Sequence, residues 1–372
     1  MVEQAKTSAP GADPSVVATR YWQRVAGGRL RCDVCPRGCE LRDGQRGLCF
    51  VRARRGDEIV LTSYGRSSGY CVDPIEKKPL GHFLPGTPVL SFGTAGCNLT
   101  CSFCQNWDIS KSRELDTLSD EAPPERIACA ARALGCRSVA YTYNDPVIFL
   151  EYAVDTAEAC RAQGIRSVAV TAGYICSEPR RRFFAAMDAV NVDLKAFDDA
   201  FYRRLCGARL GPVLDTLRSI RHETDAWLEL TTLLIPGEND SNREIEAAAA
   251  WVAEELGPDV PWHFSAFHPD YRMRRTQATP AATLTRARNI ARAAGLRYVY
   301  TGNVIDPEGE STRCHACGSL LIGRDRYTLT AWGLDEDGHC ARCGEHCAGV
   351  FEPKPGTWGA RRLPVRLADF AA

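Results

Sequence analysis

No apolar run in this chain of 372 residues reaches the roughly 18 residues that a bilayer-spanning helix needs. The opening stretch, MVEQAKTSAPGADPSVVATR, lacks an apolar signal core and reads as a disordered tail over residues 1–20. Neither sign of charge dominates. The 46 Lys and Arg balance 46 Asp and Glu, so no global field calls for nucleic acid or a membrane surface. The one local excess, the arginines of residues 29–55, reads first as a solvated face. Internal repeats are absent. Histidine is scarce, at seven residues, and no His-rich motif of a hydrolytic metalloenzyme is found. These absences lead to the expectation of a cytoplasmic globular protein, in keeping with 45% hydrophobic and 25% charged residues.

Cysteine, by contrast, is abundant, with 18 residues. In a compartment that keeps thiols reduced, such a count points to metal before disulfide. Three clusters stand out: Cys32, Cys35, Cys39 and Cys49; then Cys97, Cys101 and Cys104; then Cys314, Cys317, Cys340, Cys343 and Cys347. The remaining six, Cys71, Cys129, Cys136, Cys160, Cys176 and Cys206, read as small buried hydrophobes.

Between the outer clusters the pattern alternates. Short β-branched runs recur at 88–94, 138–143, 167–173, 189–195, 227–235, 262–267 and 297–302. They are nearly continuous in apolar character, as strands covered on both faces should be. Amphipathic stretches lie between them and stop at Gly135, Gly164, Gly257 and Gly295. Strand–helix alternation means parallel strands with right-handed crossovers. Six or seven such units predict an α/β fold, an incomplete parallel (β/α)6-type barrel over residues 88–305. A Cys-rich N-terminal extension (21–87) would pack a few strands on its edge, and a small C-terminal module (310–360) would follow.

In such folds the C-terminal strand ends share one rim, where sites are built. Polar residues gather there: the cysteine triplet after the first strand, Asn144-Asp145-Pro146 after the second, and Asp193 and Lys195 at the fourth. Glu229 lies on the fifth strand and His263 on the sixth. His263 and His268, read as one strand, would face opposite sides. The triplet is an odd number of thiols. A cubane iron–sulfur cluster normally takes four, so three leave one iron open to a small molecule. The alternative is a structural zinc knuckle with a distant fourth ligand.

The spacing C-x3-C-x-aromatic-C, carried by Cys97, Cys101, Phe103 and Cys104, resembles the signature of the radical S-adenosylmethionine (SAM) superfamily. The resemblance implies a [4Fe-4S] cluster on the triplet that chelates SAM. Reductive cleavage of SAM would then give methionine and a 5′-deoxyadenosyl radical that abstracts hydrogen. It further implies that Tyr143, Asn144 and Asp145 lie at the methionyl ammonium, with Asp145 in place of the usual glutamate. Ala172 stands where that family often carries an amide. Asp193 and Lys195 are similar to the Asp-x-Lys pair of pyruvate formate-lyase activating enzymes, and His263 would face the cofactor pocket. Together, DLKAFDDAFYRRLCG, LELTTLLIPGEND, HFSAFHPDYRM, YVYTGNV and the two terminal cysteine motifs resemble the radical enzyme of the AmmeMemoRadiSam system. That resemblance implies a reductase or flavodoxin-like electron donor, with Memo-like and AMMECR1-like proteins as partners.

The flanking clusters carry their own pattern. Cys314-x2-Cys317 and Cys340-x2-Cys343 are two hooks that predict a zinc ribbon, with a second iron–sulfur cluster as the alternative. Cys32, Cys35, Cys39 and Cys49 would hold either zinc or an auxiliary cluster, with Arg37, Arg42, Arg46 and Arg52 offsetting the thiolate charge. Three functions remain open at this point. One is hydrogen abstraction from a partner-protein glycine. Another is radical modification of a small molecule. The last is a non-catalytic zinc-ribbon adaptor.

Overall fold

The computed structural model describes residues 13–114 and 120–370. Its centre is one nine-stranded sheet. In chain order the strands are β1 (Tyr70–Pro74), β2 (Pro88–Phe92), β3 (Ser138–Tyr141), β4 (Arg166–Thr171), β5 (Ala189–Asp193), β6 (Trp227–Leu234), β7 (Trp262–Ala266), β8 (Val299–Gly302) and β9 (Leu363–Val365). Their spatial order is β8-β7-β6-β5-β4-β3-β2-β1-β9. The run from β2 to β8 is parallel throughout. β1 pairs antiparallel with β2, and β9 with β1. The seven parallel strands match the seven apolar runs, so the α/β reading holds. The two antiparallel strands are an addition that the alternation did not reveal. β1 comes from the N-terminal extension and β9 from beyond the C-terminal module, so segments from both sides of the parallel core close on the same sheet edge.

The crossovers are helical where the sequence is amphipathic: α1 (Pro124–Ala133), α2 (Leu150–Ala162), α3 (Ser177–Ala185), α4 (Gly211–Glu223), α5 (Asn242–Glu255) and α6 (Ala281–Ala293). α1 opens on proline, whose fixed φ and missing N–H suit a first turn. α5 opens on Ser241, whose hydroxyl accepts the Glu244 amide hydrogen. α1, α2, α5 and α6 each stop at the expected glycine. The interior strands are buried on both faces, and aromatic contacts among Phe92, Tyr141, Phe149 and Tyr152 join sheet to helix layer.

The expected disordered tail needs correction. Residues 1–12 lie outside the described residues, but Val17–Ala18 form a strand antiparallel to Val60–Leu61. Pairing with an exposed hairpin edge satisfies backbone groups that a free tail would leave to water. The hairpin itself is Arg52–Arg55 with Glu58–Leu61. A second small sheet, Trp22–Val25, Arg29–Cys32 and Glu40–Leu41, carries the first cysteine cluster. At the other end, Thr312–Arg313, Leu320–Asp325 and Thr328–Trp332 make a three-stranded antiparallel sheet. Among the described residues no helix is long and apolar enough to cross a membrane.

Candidate active site

The C-terminal ends of the parallel strands surround a cleft of about 1090 Å³. Cys97, Cys101 and Cys104 all line it, on the loop that leaves β2. Three constraints set that loop. Gly96 has a φ of 85°, and a Cβ there would overlap the Cys49 carbonyl oxygen, so only glycine fits. Asn144, buried after β3, accepts from the Thr94 amide at 3.1 Å and donates to the Gly96 carbonyl at 2.8 Å. The Thr100 and Ser102 amides donate to the Cys206 and Leu205 carbonyls, both at 2.9 Å. These carbonyls belong to a π-helical turn, Tyr202–Cys206.

Cys206, read from the sequence as an isolated buried hydrophobe, is part of this site. Its thiol donates to Cys101, which, with Lys195 and Lys111 nearby, brings the Cys101 thiol down to about 6 despite burial. The Cys206 thiol itself is pushed up, first by burial and then by Cys101. Cys206 sits behind Cys101, outside the cleft lining. Its partner is more than 100 residues away in sequence, so no local spacing could have exposed it. Burial pushes the Cys97 thiol up to about 12, and Cys104 contacts the Ser110 hydroxyl at 3.0 Å.

Across from the thiols, Asp145 is buried and accepts from the Thr171 hydroxyl at 2.8 Å and the amides of Val147 and Ala172 at 3.2 and 3.3 Å. Burial raises its carboxyl to about 6, against the pull of those donors. Ala172 thus contributes through its backbone, the one group an alanine offers. Lys195 pairs with Asp193 at 3.0 Å and lies over the Phe103 ring at 5.9 Å. Burial opposes its charge, but Asp193 and the sulfurs of Cys101 and Cys206 raise its pKa well above the ordinary value. Tyr143 adopts a φ of 70° and donates to Asp73 at 2.9 Å. Lys78 and Lys77 hold Asp73 down to about 2 although burial works the other way.

His263 reaches the cleft from β7, its Nε2 2.6 Å from buried Glu229. Glu229 also accepts the amides of Gly81 and His82 at 2.8 Å, which fixes its orientation. The expectation that His263 and His268 face opposite sides fails. β7 ends at Ala266, so His268 follows the strand and lines the same cleft. Sequence reasoning also missed Arg324 and Tyr327, cleft residues supplied by the C-terminal module. Arg324 donates to the Gly81 carbonyl at 2.5 Å and to Thr312 at 2.9 Å.

In that module the ligand atoms of Cys314, Cys317, Cys340 and Cys343 all lie within 4.8 Å of one another. Cys314 and Cys343 are 3.6 Å apart, Cys317 and Cys340 3.7 Å. Two tight turns close the hooks, Gly318 N–H to Cys314 O at 2.9 Å and Gly344 N–H to Cys340 O at 2.8 Å. Cys347 stands apart, buried near His82. At the other end Cys32, Cys35, Cys39 and Cys49 line one small cavity together with Arg37 and Arg52. Arg42 is exposed, and Arg46 donates to the Phe50 carbonyl and Thr62 hydroxyl, both at 2.8 Å.

Three thiols on one cleft-lining loop, with a cationic Lys195 beside them, form a donor set that fits a [4Fe-4S] cluster with one free corner. Cys71, the fourth cysteine of the lining, lies on β1, where its sulfur accepts from Arg362 at 3.3 Å. The comparisons with known proteins agree. The model of the radical SAM superfamily matches residues 92–250, which span the triplet, Asp145, Asp193 and Lys195. An uncharacterized protein of Methanocaldococcus jannaschii is 39% identical over 326 residues, covering 87% of this chain and 97% of the relative. A pyruvate formate-lyase-activating enzyme of Clostridium pasteurianum is 23% identical over 200 residues, 49% of this chain and 81% of that enzyme. Among solved structures, a radical SAM methyltransferase from Sphaerobacter thermophilus shares 16% identity, with 82% of this chain and 81% of that one covered and a TM-score of 0.46. The cysteine signature, its place on the rim of a parallel sheet and the family model lead to one assignment: residues 92–250 of the chain belong to the radical SAM superfamily, whose members bind a [4Fe-4S] cluster and SAM.

Proposed function

We propose that the protein cleaves SAM reductively and uses the resulting 5′-deoxyadenosyl radical to abstract hydrogen from the backbone glycine of a partner protein. The observation that carries the first half is the convergence of Cys97, Cys101 and Cys104 on one cleft with Asp145 and Lys195. When bound, the cluster and SAM supply the one-electron chemistry. The protein's own residues bind and orient. Asp145 offers a carboxylate to an ammonium group, and Lys195, held by Asp193, offers a cation to a carboxylate or ribose. His263, fixed by Glu229, presents a ring edge to the far end of the cleft.

The second half rests on the likeness to the activating enzyme and on a cleft larger than a SAM-sized ligand fills. The partner would be a Memo-like or AMMECR1-like protein, as in the AmmeMemoRadiSam system, and the electron donor a flavodoxin-like protein or its reductase. The four C-terminal cysteines would hold zinc, since four thiolates at this spacing form the tetrahedron that one such ion requires. An adaptor function for that module alone leaves the polar rim unexplained. The test is deuterium transfer from a glycine-labelled partner into 5′-deoxyadenosine. Label appearing there supports the reading. If product forms without label while a small-molecule fraction transfers deuterium, the protein modifies a small molecule instead.

A further inference from the structure

We propose that Cys32, Cys35, Cys39 and Cys49 hold a second iron–sulfur cluster, set against the back of the catalytic cysteine loop, and not a zinc ion. A single tetrahedral ion with metal–sulfur bonds of about 2.3 Å draws its four thiolates close together. Cys314, Cys317, Cys340 and Cys343 satisfy that, and among the described residues they are the one set of three or more ligating side chains that does. Cys32, Cys35, Cys39 and Cys49 line a common cavity, but neither they nor Cys97, Cys101 and Cys104 bring three ligand atoms all within 4.8 Å of one another. A cube with an iron at each ligated corner holds its thiolates further apart than one ion does. The molecule therefore contains one tight thiol set and two open ones, and one of the open sets is the superfamily's cluster site.

The cavity wall fits an anionic inorganic group. Val34, Val147 and Ile148 exclude water. Gly47 leaves space beside Cys39, whose sulfur lies 3.7 Å from where a Cβ would stand. Arg52 is buried, paired with Glu151 at 2.6 Å and bonded to the Ile148 carbonyl at 2.9 Å. Its guanidinium is thereby anchored at the cavity, and Arg37 adds a second positive charge. Four thiolates on a cluster would otherwise leave net negative charge in a low-dielectric setting, which needs such compensation.

The position is also specific. Asn98, which lies between Cys97 and Cys101, lines this cavity. Arg37 donates to the Asn98 carbonyl at 3.1 Å and to the Gly207 carbonyl at 2.5 Å. The Cys49 carbonyl packs against Gly96, next to Cys97. The two open thiol sets thus share one wall, the catalytic loop itself.

The test uses the full chain, reconstituted with iron and sulfide without oxygen, in three forms: wild type, Cys97→Ala/Cys101→Ala/Cys104→Ala, and Cys35→Ser/Cys49→Ser. Wild type is expected to carry about eight iron and eight sulfide per chain, and each variant about four. A triple variant that is colourless and carries two zinc ions overturns the proposal. So does a folded Cys35→Ser/Cys49→Ser protein that keeps the full iron count. Should that variant not fold, Cys314→Ser/Cys340→Ser added to the triple variant decides: iron that stays at about four per chain sits at the second site, and iron lost with those two cysteines overturns the proposal. If the triple variant and wild type both carry about four iron, the second cluster stands and the catalytic-site reading fails instead.

Discussion

At the residue scale, buried charge does most to distinguish one side chain from another. Asp145 holds its proton up to about pH 6, so it is a carboxylate able to meet an ammonium only above that value. SAM affinity, measured by anaerobic calorimetry on the reconstituted protein, is expected to fall about tenfold per pH unit below 6. Asp145→Asn should bind weakly and without that pH dependence. The sign for stability runs the other way. A carboxyl whose folded pKa lies above its unfolded value stabilises the fold most at low pH, and that contribution is lost as pH rises from about 4 through 6. Arg52 and Glu151 make a second test. Arg52→Met leaves Glu151 unpaired in the interior and should cost about 3–5 kcal/mol in urea unfolding. Replacing both partners with apolar residues should recover most of that.

At the element scale, the cysteine loop is held from three directions: Asn144 after β3, the π-helical turn before α4, and the first cysteine cluster behind Gly96. Gly96→Ala combines a left-handed φ with a clash against the Cys49 carbonyl. It should lower stability by more than about 3 kcal/mol and reduce iron bound after reconstitution, read by metal analysis and thermal melting. Much of this scale was legible in sequence. The seven apolar runs became the seven parallel strands, and four glycine-terminated helices lie where periodicity and stop signals put them. α3 escaped because SEPRRRFFA buries little beyond Pro179, Phe183 and Phe184, too thin a stripe to stand out. The position of Asp145 opposite the thiols was readable because strand ends share a rim. The pairing of Cys206 with Cys101 was not, because it depends on a π-helical turn and on chain segments far apart.

At the scale of the whole molecule, the segments before and after the parallel core return to it and complete its cleft. β1 and β9 extend the sheet, Arg37 and Arg52 lock the N-terminal cluster to the loops after β2 and β3, and Arg324 brings the C-terminal module to Gly81. Such long-range closure leaves no periodic trace in sequence, which is why the cleft-lining role of Arg324 and Tyr327 became visible only in three dimensions. The C-terminal module has little apolar core of its own, so metal would supply its folding energy. Cys314→Ser/Cys340→Ser should therefore lose hydrogen-exchange protection over residues 312–332 and around Gly81. Its SAM cleavage without protein substrate should stay within the same order of magnitude as wild type.

The central claim is that the Cys97–Cys104 loop holds a cluster with one corner open to SAM. The most direct measurement is anaerobic incubation of the reconstituted, chemically reduced protein with SAM, followed by quantitation of 5′-deoxyadenosine and methionine. The account predicts both products in equal amounts from wild type and none above background from Cys101→Ala. Wild-type protein that carries its iron yet yields no more 5′-deoxyadenosine than Cys101→Ala would contradict it.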